Sequence, residues 1–199
     1  MTTVGVWVVA MLFWMALVIY AGGLDFFLKH TRWLSNLVGV VLVLAFAAVL
    51  FGTIAVAREG LLRAASGTTD LQLVSIHVLR LLAIGGIIKC MQGQLPLHFL
   101  IFGSLPDFLF AVSAVVVTFL ASSGALGGDF LIVWHAVGFA VFLGAGISMF
   151  FSVPSLFRIY HGKPDTSLVF QFPMVLAPNF TVPLFMLAHA FALVKLFSG

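Results

Sequence analysis

Apolar residues in this chain come in long unbroken runs, not in the stripe of an amphipathic helix or the alternation of a half-buried strand. Six runs are long enough to cross a bilayer: Val4 to Gly23, Asn36 to Ala57, Leu71 to Met91, Pro106 to Ser122, Phe130 to Val153, and Phe180 to Phe197. The polar punctuation between them is short, at Asp25 to Ser35, Arg58 to Asp70, Gln92 to Pro96, Ser123 to Asp129 and Arg158 to Thr166. Short connections make successive spans antiparallel neighbours. The pattern predicts an all-α integral membrane bundle of about six transmembrane helices, with residues 1–199 as a single domain.

Two further apolar stretches, Leu97 to Gly103 and Leu168 to Ala177, are too short to span, and each lies beside prolines just before a span. They read as half-helical or re-entrant segments. Gln94-Leu95-Pro96 is followed ten residues after its proline by Pro106, and Gln171-Phe172-Pro173 is followed at the same distance by Pro183. With six spans both segments fall on one membrane face, which makes this a parallel repeat if it is not a coincidence of prolines at span ends. Backbone groups freed there must face protein or water, so a polar vestibule on that face is the expectation.

Composition makes the solvent certain. The chain is 63% hydrophobic and 8% charged, with a mean hydropathy of +1.25, whereas a soluble domain is about a quarter charged. The lipid bilayer is therefore its first partner. The net charge of +3 comes from nine Lys and Arg scattered singly against six carboxylates, which is membrane topology and not the clustered basic stripe of a nucleic-acid surface. Lys29, Arg32, Lys89, Arg158 and Lys163 fall on one face and Arg58, Arg63 and Lys195 on the other, a bias that puts the first group in the cytoplasm and both termini outside. The expected arrangement is a multi-pass membrane protein. The first run follows Met1-Thr2-Thr3 without a basic segment, so it reads as an uncleaved anchor. The single cysteine, Cys90, excludes an internal disulfide or a multi-cysteine metal site.

Small residues at Ala136, Ala140, Gly144, Ser148 and Ser152 recur every four positions, a stripe on which a partner helix or a second copy could pack closely. Trp7, Trp33 and Trp134 near span ends fit interfacial anchors.

Polar side chains inside hydrocarbon are costly enough to be functional candidates, although buried pairs also serve as glue between helices. His77 and Arg80 lie three apart and share a helix face. His77, His135 and His189 are expected at similar depth from one membrane face, so three histidines on three helices meet in one layer. Two level imidazoles on different helices are what a bis-histidine b-type haem needs, with His77 and His135 as its ligands and Arg80 available for a propionate. Without haem, the layer of His77, Arg80, His135 and His189 suits a quinone, a lipid headgroup or proton movement. Asp107 follows Pro106 and reads as a carboxylate in the first turn of its span, where it meets the positive end of the dipole. His98 and Asn179, beside the two proline-flanked segments, would join Asp107 in a pocket or transport pathway. His30 and His161 lie in charged loops and read as solvated. There is no His-Glu-x-x-His zinc motif, Gly-x-Ser-x-Gly elbow or phosphate-binding glycine loop, so hydrolytic or nucleotide-driven chemistry has no visible machinery.

From Arg80 onward, over roughly the last 120 residues, the sequence resembles a family of small uncharacterised bacterial membrane proteins. The residues that carry the resemblance are Arg80, Gly93-Gln94-Leu95-Pro96, Gly103 to Asp107, Trp134, and Ala177-Pro178-Asn179 through Pro183 to His189. This chain departs from the pattern in placing His135 directly after the tryptophan, where a polar amide is expected. The resemblance implies that Arg80, Asp107 and His189 form one site, and it names no ligand. A cofactor-binding membrane protein, a small transporter and an accessory subunit of a membrane complex all fit the sequence.

Overall fold

The computed structural model describes residues 3–30, 63, 66–153 and 158–198, and every regular element among them is helical. We number the helices α1 (Thr3–Gly23), α2 (Phe26–His30), α3 (Asp70–Met91), α4 (Leu97–Ser122), α5 (Gly128–Ser152) and α6 (Ala177–Phe197). Of these, α3 to α6 are each long and apolar enough to cross a membrane. The first expected span forms α1, while the second expected span, residues 36–57, and Trp33 lie outside the described residues.

Helix α3 is not uniform. After a capping box, in which Thr69 and Gln72 exchange side-chain and backbone hydrogen bonds, Asp70–Ser75 is α-helical, Ile76–Ala83 winds as a 3₁₀ helix, and Ile84–Met91 returns to α. A 3₁₀ turn holds three residues, so side chains three apart eclipse. Val74, His77 and Arg80 accordingly form one straight buried row, while Leu79 and Leu82 point outward.

The two proline-flanked segments take different forms. Leu97–Gly103 is not a separate half-helix but the first part of α4, which runs from Leu97 to Ser122 without a break. Leu168–Ala177 is irregular: a 3₁₀ helix at Thr166–Phe170, then turns, with Val169, Phe170 and Val175 buried. What the two share is a π-turn. Leu100–Ser104 and Ala177–Thr181 are both π-helical, each begins four residues after the first proline, and each ends two before the second. The Leu105 N–H donates to the Leu100 carbonyl and the Val182 N–H to the Ala177 carbonyl, five residues back in both cases. A proline in a helix lacks its N–H and crowds the carbonyl four residues before it; the wider turn just ahead of Pro106 and Pro183 accommodates both.

Packing fixes the bundle at three levels. Toward the Asp70 end, Val74, Phe110, Ala114, Val117, Leu131 and Trp134 make one cluster. Phe142, Phe185 and Met186 lie in a second, and Leu95, Val153, Val169 and Phe170 in a third, which α2 joins through Phe27 and Leu28. Lys195 on α6 pairs with Asp70 on α3 at 2.6 Å, closing the first end. Helix α1 packs on the start of α6 through an edge-on contact of Trp14 with Phe180, centroids 5.2 Å apart.

The small-residue stripe on α5 divides. Ser148 and Ser152 are buried against α4 of the same chain, where Ser152 meets His98, whereas Ala136 and Ala140 are exposed. Trp134 is not an interfacial anchor. It is buried in the core and its indole N–H donates to Ser113 Oγ at 3.1 Å.

Candidate functional site

His77, His135 and His189 come from α3, α5 and α6, and each is at most 1% exposed. A nitrogen from each ring lies within 4.8 Å of one from each of the others. His77 stacks face to face on His189 with centroids 3.8 Å apart, and His135 stands edge-on to both at 5.7 and 5.2 Å. The expected common layer is therefore present. Counting along the helices gives the reason: His77 and His135 each lie seven residues from the first residue of their spans, and His189 eight from the last of its own.

Arg80 sits beside this layer. Its Nε donates to Asp107 Oδ1 at 2.6 Å, its Nη1 meets His189 Nε2 at 2.9 Å, and its guanidinium lies between the rings of Phe110 and Phe142, 4.2 and 3.9 Å from their centroids. Guanidinium only donates, so His189 Nε2 must be the acceptor and the ring carries its proton on Nδ1. That Nδ1–H then donates to His135 Nδ1, 3.0 Å away, which leaves the His135 proton on Nε2. The result is an ordered array from Asp107 through Arg80 and His189 to His135, with each tautomer set by its neighbour. Arg80 cannot pass a proton on, so the array orients and does not conduct.

Among the described residues, both ring nitrogens of His77 and the Nη2 of Arg80 are buried without a hydrogen-bond partner. Around them stand Phe110, Trp134, Phe142 and Phe185, an aromatic wall that the sequence reading did not assign to the site. A signal was available: Trp134 adjoins His135, Phe185 is one turn before His189, and Phe110 is three residues after Asp107. At Gly138 a Cβ would overlap the rings of both His189 and Phe110, so only glycine lets α5 approach α6 this closely.

Asp107 does not act as the cap of an exposed helix end. With Leu97–Ser104 helical, it lies ten residues inside α4, and Arg80 neutralises it there. His98 and Asn179 do not join it. His98 stacks on Tyr160 at 4.2 Å and bonds to Ser152, and Asn179 donates to the Val175 carbonyl at 3.0 Å. The vestibule residues thus occupy three separate places.

The packing also bears on haem. A macrocycle held by His77 and His135 would have to enter between rings that touch His189, Phe110 and Trp134 on their remaining sides, and would push them apart.

No curated protein and no solved structure matches the chain. The family model described as Domain of unknown function (DUF8737) matches residues 33–197, a stretch that contains the histidine layer, Arg80 and Asp107. The chain belongs to that family.

Proposed function

We propose that this is a six-span protein of a bacterial inner membrane that holds a metal cofactor within its bundle, at His77, His135 and His189. The six spans are α3 to α6, helix α1, and the apolar run at 36–57. The observation that carries the reading is His77, a fully buried imidazole with neither nitrogen partnered, set against two more buried imidazoles. Leaving one buried polar group unpaired costs about 1–3 kcal/mol, and an ion coordinated by the ring removes that penalty. Imidazole donors suit zinc, copper, iron and nickel, and three of them leave a coordination position open for a substrate or a further ligand. A b-type haem on His77 and His135, which would bring electron transfer, is the alternative form of the same reading.

The test is metal analysis together with the oxidised and dithionite-reduced absorption spectra of detergent-purified protein from metal- and haem-replete cells. Roughly one metal per chain, lost in His77→Ala, His135→Ala and His189→Ala, is the expected result, and a Soret band would assign the metal to haem. Protein that takes up neither metal nor haem under full supply refutes the reading.

The paired π-turns favour a second reading, a small transporter in which α4 and α6 move at their irregular first turns, since such turns are frequent at functional sites. It predicts that substitutions at Pro106 or Pro183 alter solute flux in proteoliposomes while metal content stays the same.

A further inference from the structure

The ion pair of Arg80 and Asp107 uses one edge of the guanidinium and leaves that edge half filled. Nε and Nη2 donate in parallel there, and a carboxylate that meets this fork squarely takes both bonds with its two oxygens. Asp107 reaches only Nε, through Oδ1 at 2.6 Å, while Nη2 is buried and, among the described residues, has no partner. The fork cannot turn to improve the fit, because Phe110 and Phe142 hold the guanidinium between their rings and the side chain has no exposed surface. Asp107 is tethered to α4, whereas a carboxylate free of the chain is not. Asp107 also has a way out of the layer. It shares the inward face of α4 with Phe110, Ala111 and Ala114, which are at most 6% exposed, yet its own side chain is 21% exposed. The opening that exposes it therefore lies between helices and not on the outer face, where Leu109 and Val112 point.

We infer that Arg80 is the recognition residue of a binding site for a monocarboxylic acid, and that Asp107 is the internal carboxylate that fills this site until the acid displaces it. No ready-made cavity is needed, since the acid takes over the space that the Asp107 carboxylate vacates. Charge in this apolar layer stays balanced when the acid arrives neutral. Its O–H bond breaks, an O–H bond forms on Asp107, and the new carboxylate pairs with Arg80 while protonated Asp107 turns into the opening. The carboxyls of a side chain and of a simple acid differ little in intrinsic proton affinity, so the exchange itself is nearly balanced. What tips it is the second bond, to Nη2, because a buried donor left unpaired is costly. The site is independent of whether the histidines hold a metal: the acid takes the edge formed by Nε and Nη2 and leaves the contact of Nη1 with His189 in place.

The experiment measures binding of radiolabelled acetate to the full chain in nanodiscs, with empty nanodiscs as the blank, for wild type, Asp107→Ala and Arg80→Gln/Asp107→Asn. Wild type is expected to bind saturably. Asp107→Ala removes the internal competitor and is expected to bind at least about tenfold more tightly, the factor for a site otherwise open no more than about a tenth of the time. The double variant removes the fork without stranding a carboxylate, and is expected to bind nothing. If it does not fold, Arg80→Lys takes its place, since it keeps the charge, loses the fork and is expected to lose most of the binding. Melting temperature gives a second readout: acetate should raise that of Asp107→Ala more than that of wild type, even if this variant folds only with acetate present. Dodecanoate separates two sources of the acid. Displacement of labelled acetate by less dodecanoate than acetate assigns the ligand to the membrane, and weaker displacement assigns it to small solutes, with the inference upheld in both cases. Wild type that takes up no acetate, binding that survives removal of the fork, or weaker binding by Asp107→Ala overturns it. Acetate that stabilises Asp107→Ala without binding wild type makes Asp107 a structural partner only, and overturns it as well.

Discussion

Removing Arg80 and Asp107 singly and together tests whether the array is a coupled unit. Arg80→Leu strands a carboxylate ten residues inside a membrane span, takes the donor from His189 Nε2, and ends two contacts of the guanidinium with aromatic rings at 4.2 and 3.9 Å. Breaking a buried pair from one side costs about 3–5 kcal/mol. The Asp107 side chain is 21% exposed and can take up a proton, which places this variant at the lower end, about 3 kcal/mol. Asp107→Leu strands a guanidinium that is not exposed at all and cannot be neutralised, so it is expected to cost about 1 kcal/mol more. The double variant leaves no stranded charge and is expected to lose no more than either single one, a coupling of at least about 4 kcal/mol. The assay is unfolding in mixed detergent micelles, followed by near-ultraviolet circular dichroism of the buried Trp134. At about 2–4 °C per kcal/mol for a chain of this size, each single variant should melt roughly 10 °C low. If the two single losses add within about 0.5 kcal/mol in the double variant, the pair is not coupled and the reasoning fails.

Gly138→Ala is expected to destabilise by about 1–3 kcal/mol through forced displacement of His189 and Phe110; Gly146→Ala on the same helix, with nothing within 4 Å of the new methyl, should leave the melting temperature unchanged or slightly higher. Lys195→Met breaks an ion pair whose side chains are 22% and 46% exposed, and should cost less than about 1 kcal/mol in the same unfolding assay. Asp165, in the loop before α6, feels burial that raises its carboxyl, but hydrogen bonds from Ser167 and the charges of Lys163 and Arg158 outweigh this and hold it below its ordinary value. Its contribution is therefore present above the ordinary carboxylate range, near pH 4, and is lost as pH falls through the lower folded value. The protection of residues 158–170 against hydrogen exchange, taken relative to the intrinsic rate at each pH, should fall on acidification in wild type and change less in Asp165→Asn.

The depth of the histidines was legible because it needs only span ends and a rise per residue, and hydrophobic runs mark span ends well. Their faces were legible for His77 and Arg80 because a spacing of three puts both on one side of an α- or a 3₁₀ helix. Spacing alone did not give partner choice: the family resemblance grouped Asp107 with Arg80 and His189, which Arg80 does link by hydrogen bonds, whereas nearness to prolines grouped it with His98 and Asn179, because a side chain finds its partner by angle around the helix as well as by depth. Two local departures from α geometry, the 3₁₀ stretch of α3 and the π-turn of α4, change those angles without a mark in the hydrophobic pattern. Trp134 was misplaced for a related reason. Closeness to a span end suggested an interface, whereas its helix face, next to His135 and opposite Ser113, turns it inward.

The π-turn of α4 carries a consequence for the site that a deletion can test. A single π-turn amounts to one extra residue inserted into an α-helix, and one residue is about 100° of rotation. Taking one residue out of Leu100–Ser104 should convert the turn to ordinary α-helix while both flanks keep their faces, with His98 toward Ser152 and Asp107 toward Arg80. Taking one from the regular part of α4 turns everything before it by about 100° against everything after it. Ile101 and Val115 are suited to the comparison because both face outward, at 48% and 46% exposure, so neither deletion removes a core side chain. Deleting Ile101 leaves Pro106 crowding a carbonyl in a normal turn, at about 3 kcal/mol. Deleting Val115 separates Asp107 and Phe110 from Val117 on the buried face, which forfeits either the Arg80 pair or the packing of Val74 and Trp134, and should abolish folding. Unfolding in micelles reads both. Equal losses would mean that the π-turn sets the angle of Asp107 no more than any other turn of the helix does.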